Sequence, residues 1–283
     1  MLKLLLAVTL LLNGAFGANK PNLVEYLSQN QQYSTLVSLV KEAGLVDALT
    51  NIRFATLFAP TNAAFAQVPA SVLDELKNDT KALTNVLLNH LTNSTIISPA
   101  IKNNDRVANL IGGNLIFNVG PSYTVTVNGV AISDTDAIVS NGVIHTIDGV
   151  LLPADGDILD YLAVHDDEFT DLFAAIIVAN LEDALRAGVF TVFAPNDKAF
   201  AGILQQLPGA ALQDILKYHV VVGNIYSSAL SDGQKVTTLN GKDITVSIKN
   251  NVVKINGATV LTADINTNNG VIHVIDTVLV PSS

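Results

Sequence analysis

The chain of 283 residues has no cysteine and no tryptophan. Without cysteine there is no disulfide, no thiolate nucleophile and no thiolate metal site. A chain without covalent staples must hold itself together by apolar burial, and 49% hydrophobic residues supply the material. Charge is scarce at 14%, and positive charge scarcer still: 15 Lys and Arg against 25 Asp and Glu leave a net −10. That balance argues against nucleic acid and against anionic membrane surfaces. The motifs G-x-S-x-G and H-E-x-x-H, a phosphate-binding glycine loop and a dinucleotide fingerprint are all missing, as is Arg-Gly-Asp. No nucleophile motif means that no catalytic residue is expected, and no converging ligand set means that neither a metal nor a cofactor is.

No stretch of about 18 apolar residues free of charge occurs, and the start of the chain has a shorter one. Lys3, the almost wholly apolar residues 4–12 and Ala15-Phe16-Gly17 read as a secretory signal peptide over residues 1–17, cut after Gly17. The run is too short to span a membrane, and no apolar tail follows Val280-Pro281-Ser282-Ser283. Neither a membrane span nor a lipid anchor is expected, and the mature chain is expected in the extracellular space or matrix.

What is present is a duplication. Thr56-Leu57-Phe58-Ala59-Pro60 is matched by Thr191-Val192-Phe193-Ala194-Pro195, 135 residues later. The stretch from Asn141 (NGVIHTIDGVLLP) is matched by the stretch from Asn269 (NGVIHVIDTVLVP), 128 residues later, and His90 by His219. A period of about 130 residues is a tandem domain, since solenoid repeats run roughly 20–50. The join falls near Pro153-Ala154, giving domains over 18–153 and 154–283. In each copy Leu36, Leu39, Val40 and Ala43, or Leu172, Ala175 and Ile176, have helical spacing. A short strand follows, closed by proline, with Thr61 or Asn196 suited to cap a helix. Residues 85–91 and 212–219 read as helical, and residues 123–127, 244–248 and 252–255 as strands. Helices first and strands later indicate an α+β domain.

TLFAPTNAAF, TVFAPNDKAF and the two NGVIH segments resemble the signatures of fasciclin domains, and Leu216-Lys217-Tyr218-His219 resembles the stretch between them. The resemblance covers essentially the whole mature chain. It implies two tandem wedge-shaped β-sandwiches flanked by helices, in extracellular adhesion or matrix proteins that bind cell-surface receptors such as integrins, matrix proteins or one another. The resemblance also implies receptor-contact candidates: Tyr218 and His219, and the pair Asp264-Ile265. The first copy has Asn89 in place of the tyrosine, and Asp134-Thr135-Asp136-Ala137-Ile138 breaks the Asp-Ile pair. Each candidate has a plainer reading, with Tyr218 and His219 closing a core and Asp264 capping a turn.

His145 and His273 share a strand face with aliphatic neighbours, which points to internal braces rather than catalytic bases. His90 is the counterpart of His219. Two N-glycosylation sequons stand at Asn78 and Asn93 in polar stretches. Asp166-Asp167-Glu168 reads as a solvated helix start. A secreted adhesion or matrix protein is the leading expectation. The alternative is a soluble carrier or effector for a small apolar or glycan ligand.

Overall fold

A computed structural model describes residues 20–120, 124–154, 156–200, 209–250 and 252–281. The signal-peptide reading lies outside the described residues. The chain divides into two compact units between Pro153 and Ala154.

The first unit opens with helix α1 (Leu23–Gln29), whose first turn is closed by a capping box between Asn22 and Glu25. Helix α2 (Ser34–Glu42) buries Leu36, Leu39 and Val40, and Gly44, at φ +69°, reverses the chain into α3 (Val46–Asn51). Strand β1 (Ala55–Pro60) runs into the short helix α4 (Asn62–Phe65), where the Thr61 side chain accepts the Ala64 N–H. Helices α5 (Ala70–Asn78) and α6 (Thr80–Asn89) follow. The remaining strands are β2 (Leu91–Thr92), β3 (Arg106–Ala108), β4 (Asn114–Val119), β5 (Val125–Val127), β6 (Val130–Val139) and β7 (Gly142–Ile147). They form one seven-stranded sheet in the order β2-β1-β7-β6-β5-β4-β3.

The pair β1–β7, beside the short edge strand β2, is parallel, with Phe58 opposite His145, and every residue of both strands is buried. Two covered faces explain the unbroken burial. Ala55, Leu57, Ala59 and Ile144 pack with the helices. Phe58 and Ile147 face the other way and pack with Leu115, Phe117 and Val127 of β4 and β5. The sheet therefore folds onto itself, with a helical layer outside.

The second unit repeats the plan. Its helices are α7 (Ile158–Val164), α8 (Asp166–Val178), α9 (Glu182–Ala187), α10 (Asp197–Phe200) and α11 (Gly209–Tyr218). Its strands are β8 (Phe190–Pro195), β9 (Val220–Val222), β10 (Lys235–Thr237), β11 (Asp243–Lys249), β12 (Val252–Ile255), β13 (Ala258–Thr267) and β14 (Gly270–Ile275). The order β10-β11-β12-β13-β14-β8-β9 is that of the first unit read from the other edge, and β14 pairs with β8 in parallel. Each unit is thus the α+β sandwich with flanking helices that the sequence leads one to expect.

Three details differ from the sequence reading. Both helices expected to reach the helix-end histidine, or beyond it, stop just before it, and His90 is the cap residue of α6. The strand read from Tyr123 begins at Val125, and Tyr123 lies outside the described residues. The ten-residue strands β6 and β13 lack a clean strand pattern in the sequence, because exposed residues and register shifts break their alternation.

Candidate functional site

Each unit contains two buried histidines on unlike supports. His145 lies on β7. Its Nε2–H donates to Ile96 O at 2.9 Å, and its Nδ1 accepts the Asp136 N–H at 3.3 Å. The ring stacks on Phe58 at 5.4 Å. His273, on β14, has the same set: Ile225 O at 2.8 Å, the Asp264 N–H at 3.2 Å and Phe193 at 5.4 Å. With one nitrogen donating and the other accepting, both rings are held in a single neutral tautomer. Burial lowers the pKa of both, opposed by hydrogen bonds and nearby aspartates.

The second pair closes the end of a helix onto the segment after the last strand. His90 Nδ1–H donates to Val86 O at 2.7 Å, and its Nε2 accepts the Leu151 N–H at 2.9 Å. His219 does the same with Ile215 O at 2.7 Å and the Leu279 N–H at 2.8 Å. Burial pushes both rings down to about 4. All four rings are internal braces, and none has a free nitrogen for proton transfer or for a metal.

Tyr218, 4% exposed, sits among the sandwich side chains of its unit. Its hydroxyl donates to Asp243 O at 2.9 Å and accepts from the Asn256 amide at 2.7 Å. The first unit's Asn89 donates instead to Leu151 O at 2.9 Å and accepts from Asn109 at 2.6 Å. Polar satisfaction is kept in both units by different partners.

Asp264 is held as well. It sits in the irregular part of β13 at φ +64°, and its carboxylate accepts both the N–H (2.7 Å) and the Oγ–H of Ser227. Asp136 has φ +62° and the same two bonds to Ser98. The structure therefore pairs Asp264 with Asp136, and Ile265 with Ala137. Ser98 and Ser227 were missed in the sequence. Their matching offset, 129, was the available signal, but one serine in a polar loop carries little weight. Serine, aspartate and histidine meet here without making a catalytic triad. The serine hydroxyl is bonded to the carboxylate, and both histidine nitrogens are occupied by backbone groups. Asp264 keeps a quarter of its side-chain surface exposed, Ile265 is half-buried, and His219 is 1% exposed.

Asn78 and Asn93 are both exposed. Asp166, Asp167 and Glu168 occupy the first turn of α8, where negative charge suits the helix dipole. Among the described residues, no group of histidine and carboxylate side chains is placed to hold a metal ion.

A sheet containing one parallel pair, pinned by two histidines and built twice in one chain, defines a tandem α+β module. The sequence matches the Fasciclin domain family over residues 31–153 and 167–281, and the chain belongs to that family. It is similar to Periostin of Homo sapiens, 33% identical over 238 residues covering 81% of this chain and 28% of the relative. It is also similar to Transforming growth factor-beta-induced protein ig-h3 of Sus scrofa, 31% identical over 81% of this chain and 35% of the relative. The chain thus spans roughly a third of the length of these curated relatives. Among solved structures, a domain pair from the insect cell adhesion molecule Fasciclin I aligns with 21% identity and a TM-score of 0.42, covering 89% of this chain and 98% of that one.

Proposed function

We propose that this chain is a secreted, non-enzymatic adhesion or matrix protein that binds cell-surface receptors or matrix components through its two fasciclin domains. The observation that carries the reading is the family match across both units, together with the adhesive role that the sequence signatures imply. Two modules on one chain would strengthen weak single contacts. The non-enzymatic reading draws support from the histidines and serines, whose polar atoms are spent on structural bonds. Among the described residues no helix is long and apolar enough to cross a membrane. Exposure of Asn78 and Asn93 is compatible with glycosylation.

Of the receptor-contact candidates, Tyr218 and His219 would act from inside, by holding the fold. Asp264 and Ile265 retain surface, so we place an integrin-type contact there. A partly exposed carboxylate suits a receptor that presents a divalent cation. The test is cell attachment to surfaces coated with the protein, with and without a chelator, alongside Asp264→Asn. Asparagine keeps an acceptor for Ser227 while removing the charge, and circular dichroism confirms the fold. Chelator-sensitive attachment that falls at least severalfold in Asp264→Asn is the expected result. Attachment indifferent to both would remove the integrin-type contact, and absent attachment would favour the apolar-ligand carrier.

A further inference from the structure

The second unit contains an apolar cavity of about 60 Å3, lined by Leu172, Ile176, Leu181, Leu216, Val220 and Leu239, with Lys217 and His219 adding almost only carbon surface to its wall. Both nitrogens of His219 are already engaged. That leaves the half-buried Lys217, which forms no ion pair among the described residues.

The first unit shows what this position holds otherwise. Two residues before its helix-end histidine stands Leu88, packed against the core. Leu110 and Leu239 also correspond, since each donates its N–H to the edge strand, at Leu91 O (3.0 Å) and Val220 O (2.8 Å). Leu110 is half-buried and, like Leu88, packs against the first unit's core, whereas Leu239 is 40% exposed. Val222, 69% exposed, lies two residues along β9 from Val220 and so on the same sheet face. A leucine-to-lysine difference thus replaces an apolar plug by a cation, beside a cavity and an uncovered aliphatic strip.

We propose that this cavity binds the aliphatic part of a small carboxylate, with the anionic head against Lys217. Apolar walls favour a hydrocarbon, and the single cation selects an anionic head over a neutral or cationic one. The enclosed volume takes only a few carbons, and a longer chain would continue across Leu239 and Val222. This site is independent of the adhesion reading and gives the apolar-ligand alternative a location.

The test is a titration of the full chain, methyl-labelled for NMR, with hexanoate, and with hexanol and hexylamine as head-group controls. Hexanoate is expected to shift the methyls of Leu216, Val220 and Leu239 while leaving Leu87 and Leu91 of the first unit unmoved. Its affinity should exceed that of hexanol by about fivefold, the worth of one partly exposed charge pair. Lys217→Leu should abolish binding without lowering the melting temperature, and Lys217→Gln should bring hexanoate to the level of hexanol. Equal binding of hexanoate and hexanol would overturn the proposal, leaving a plain apolar hole suited to a partner's side chain. So would the absence of shifts up to the solubility limit, or binding that survives Lys217→Leu.

Discussion

The two units agree inside and disagree on their surfaces. Both build the same parallel pair into the sheet, seat a histidine on an aromatic ring and tie an aspartate to a serine. Outside, Lys41 and Glu42 at the end of α2 correspond to Ile177 and Val178 at the end of α8, where the two hydrophobic residues are 42% and 69% exposed. The exposed sequon residue Asn93 corresponds to Val222. Duplication copied the braces, which packing holds fixed, and left the surface free to vary. At these positions the first unit is polar, and the second carries apolar surface of the kind associated with binding sites.

The largest test of the shared interior is a single methyl group. A Cβ on Gly142 would stand 2.3 Å from Ala55 O, and one on Gly270 2.1 Å from Phe190 O, both backbone atoms that cannot step aside. Gly142→Ala and Gly270→Ala should each cost about 3 kcal/mol or more in their own unit. Scanning calorimetry should show similar losses, and an unchanged melting profile in either variant would break the equivalence of the units.

Acid should come next. His90 and His219 have folded pKa values of about 4, against 6.5 when unexposed to burial. Between these values the unfolded chain binds more protons, so stability is full above about pH 6.5 and is lost as pH falls towards 4. The gap is worth about 3 kcal/mol per ring. His145 and His273 shift in the same direction. Urea unfolding at pH 7 and pH 4.5 should show both units weakened, and a second unit insensitive to pH in this window would refute its histidine bracing. The smallest effect concerns the surfaces. Ile177→Lys with Val178→Glu should change stability by less than about 0.5 kcal/mol for each substitution. It should nevertheless reduce retention on a hydrophobic-interaction column.

The fold was legible where the pattern was local or duplicated. Val143, His145 and Ile147 were read onto one strand face, and the structure buries all three. Thr61 and Asn196 were read as helix caps, and their side chains accept the Ala64 and Ala199 N–H groups. What stayed hidden depends on contacts distant in the chain. The Ser227–Asp264 bond spans 37 residues, and the irregular β13 places Asp264 in a left-handed conformation that periodicity does not announce. Tyr218 read as a core side chain ahead of an exposed contact, but the sequence keeps both open, because a tyrosine at a helix end serves either until its neighbours are known. The cavity was invisible for the same reason: Lys217 has meaning only against the place held by Leu88.

The parallel pair β1–β7 has a consequence for how the protein is made. Ala55 meets Gly142, its partner 87 residues further along the chain (142 − 55). Strand β1 therefore waits for one of the last segments of its unit to leave the ribosome. Contacts of such separation slow folding, and until they form, the apolar face of β1 lacks its neighbour. The parallel pair of each unit is completed only by that unit's last strand, so a chain cut just before Gly270 would lose the second unit's fold rather than one strand.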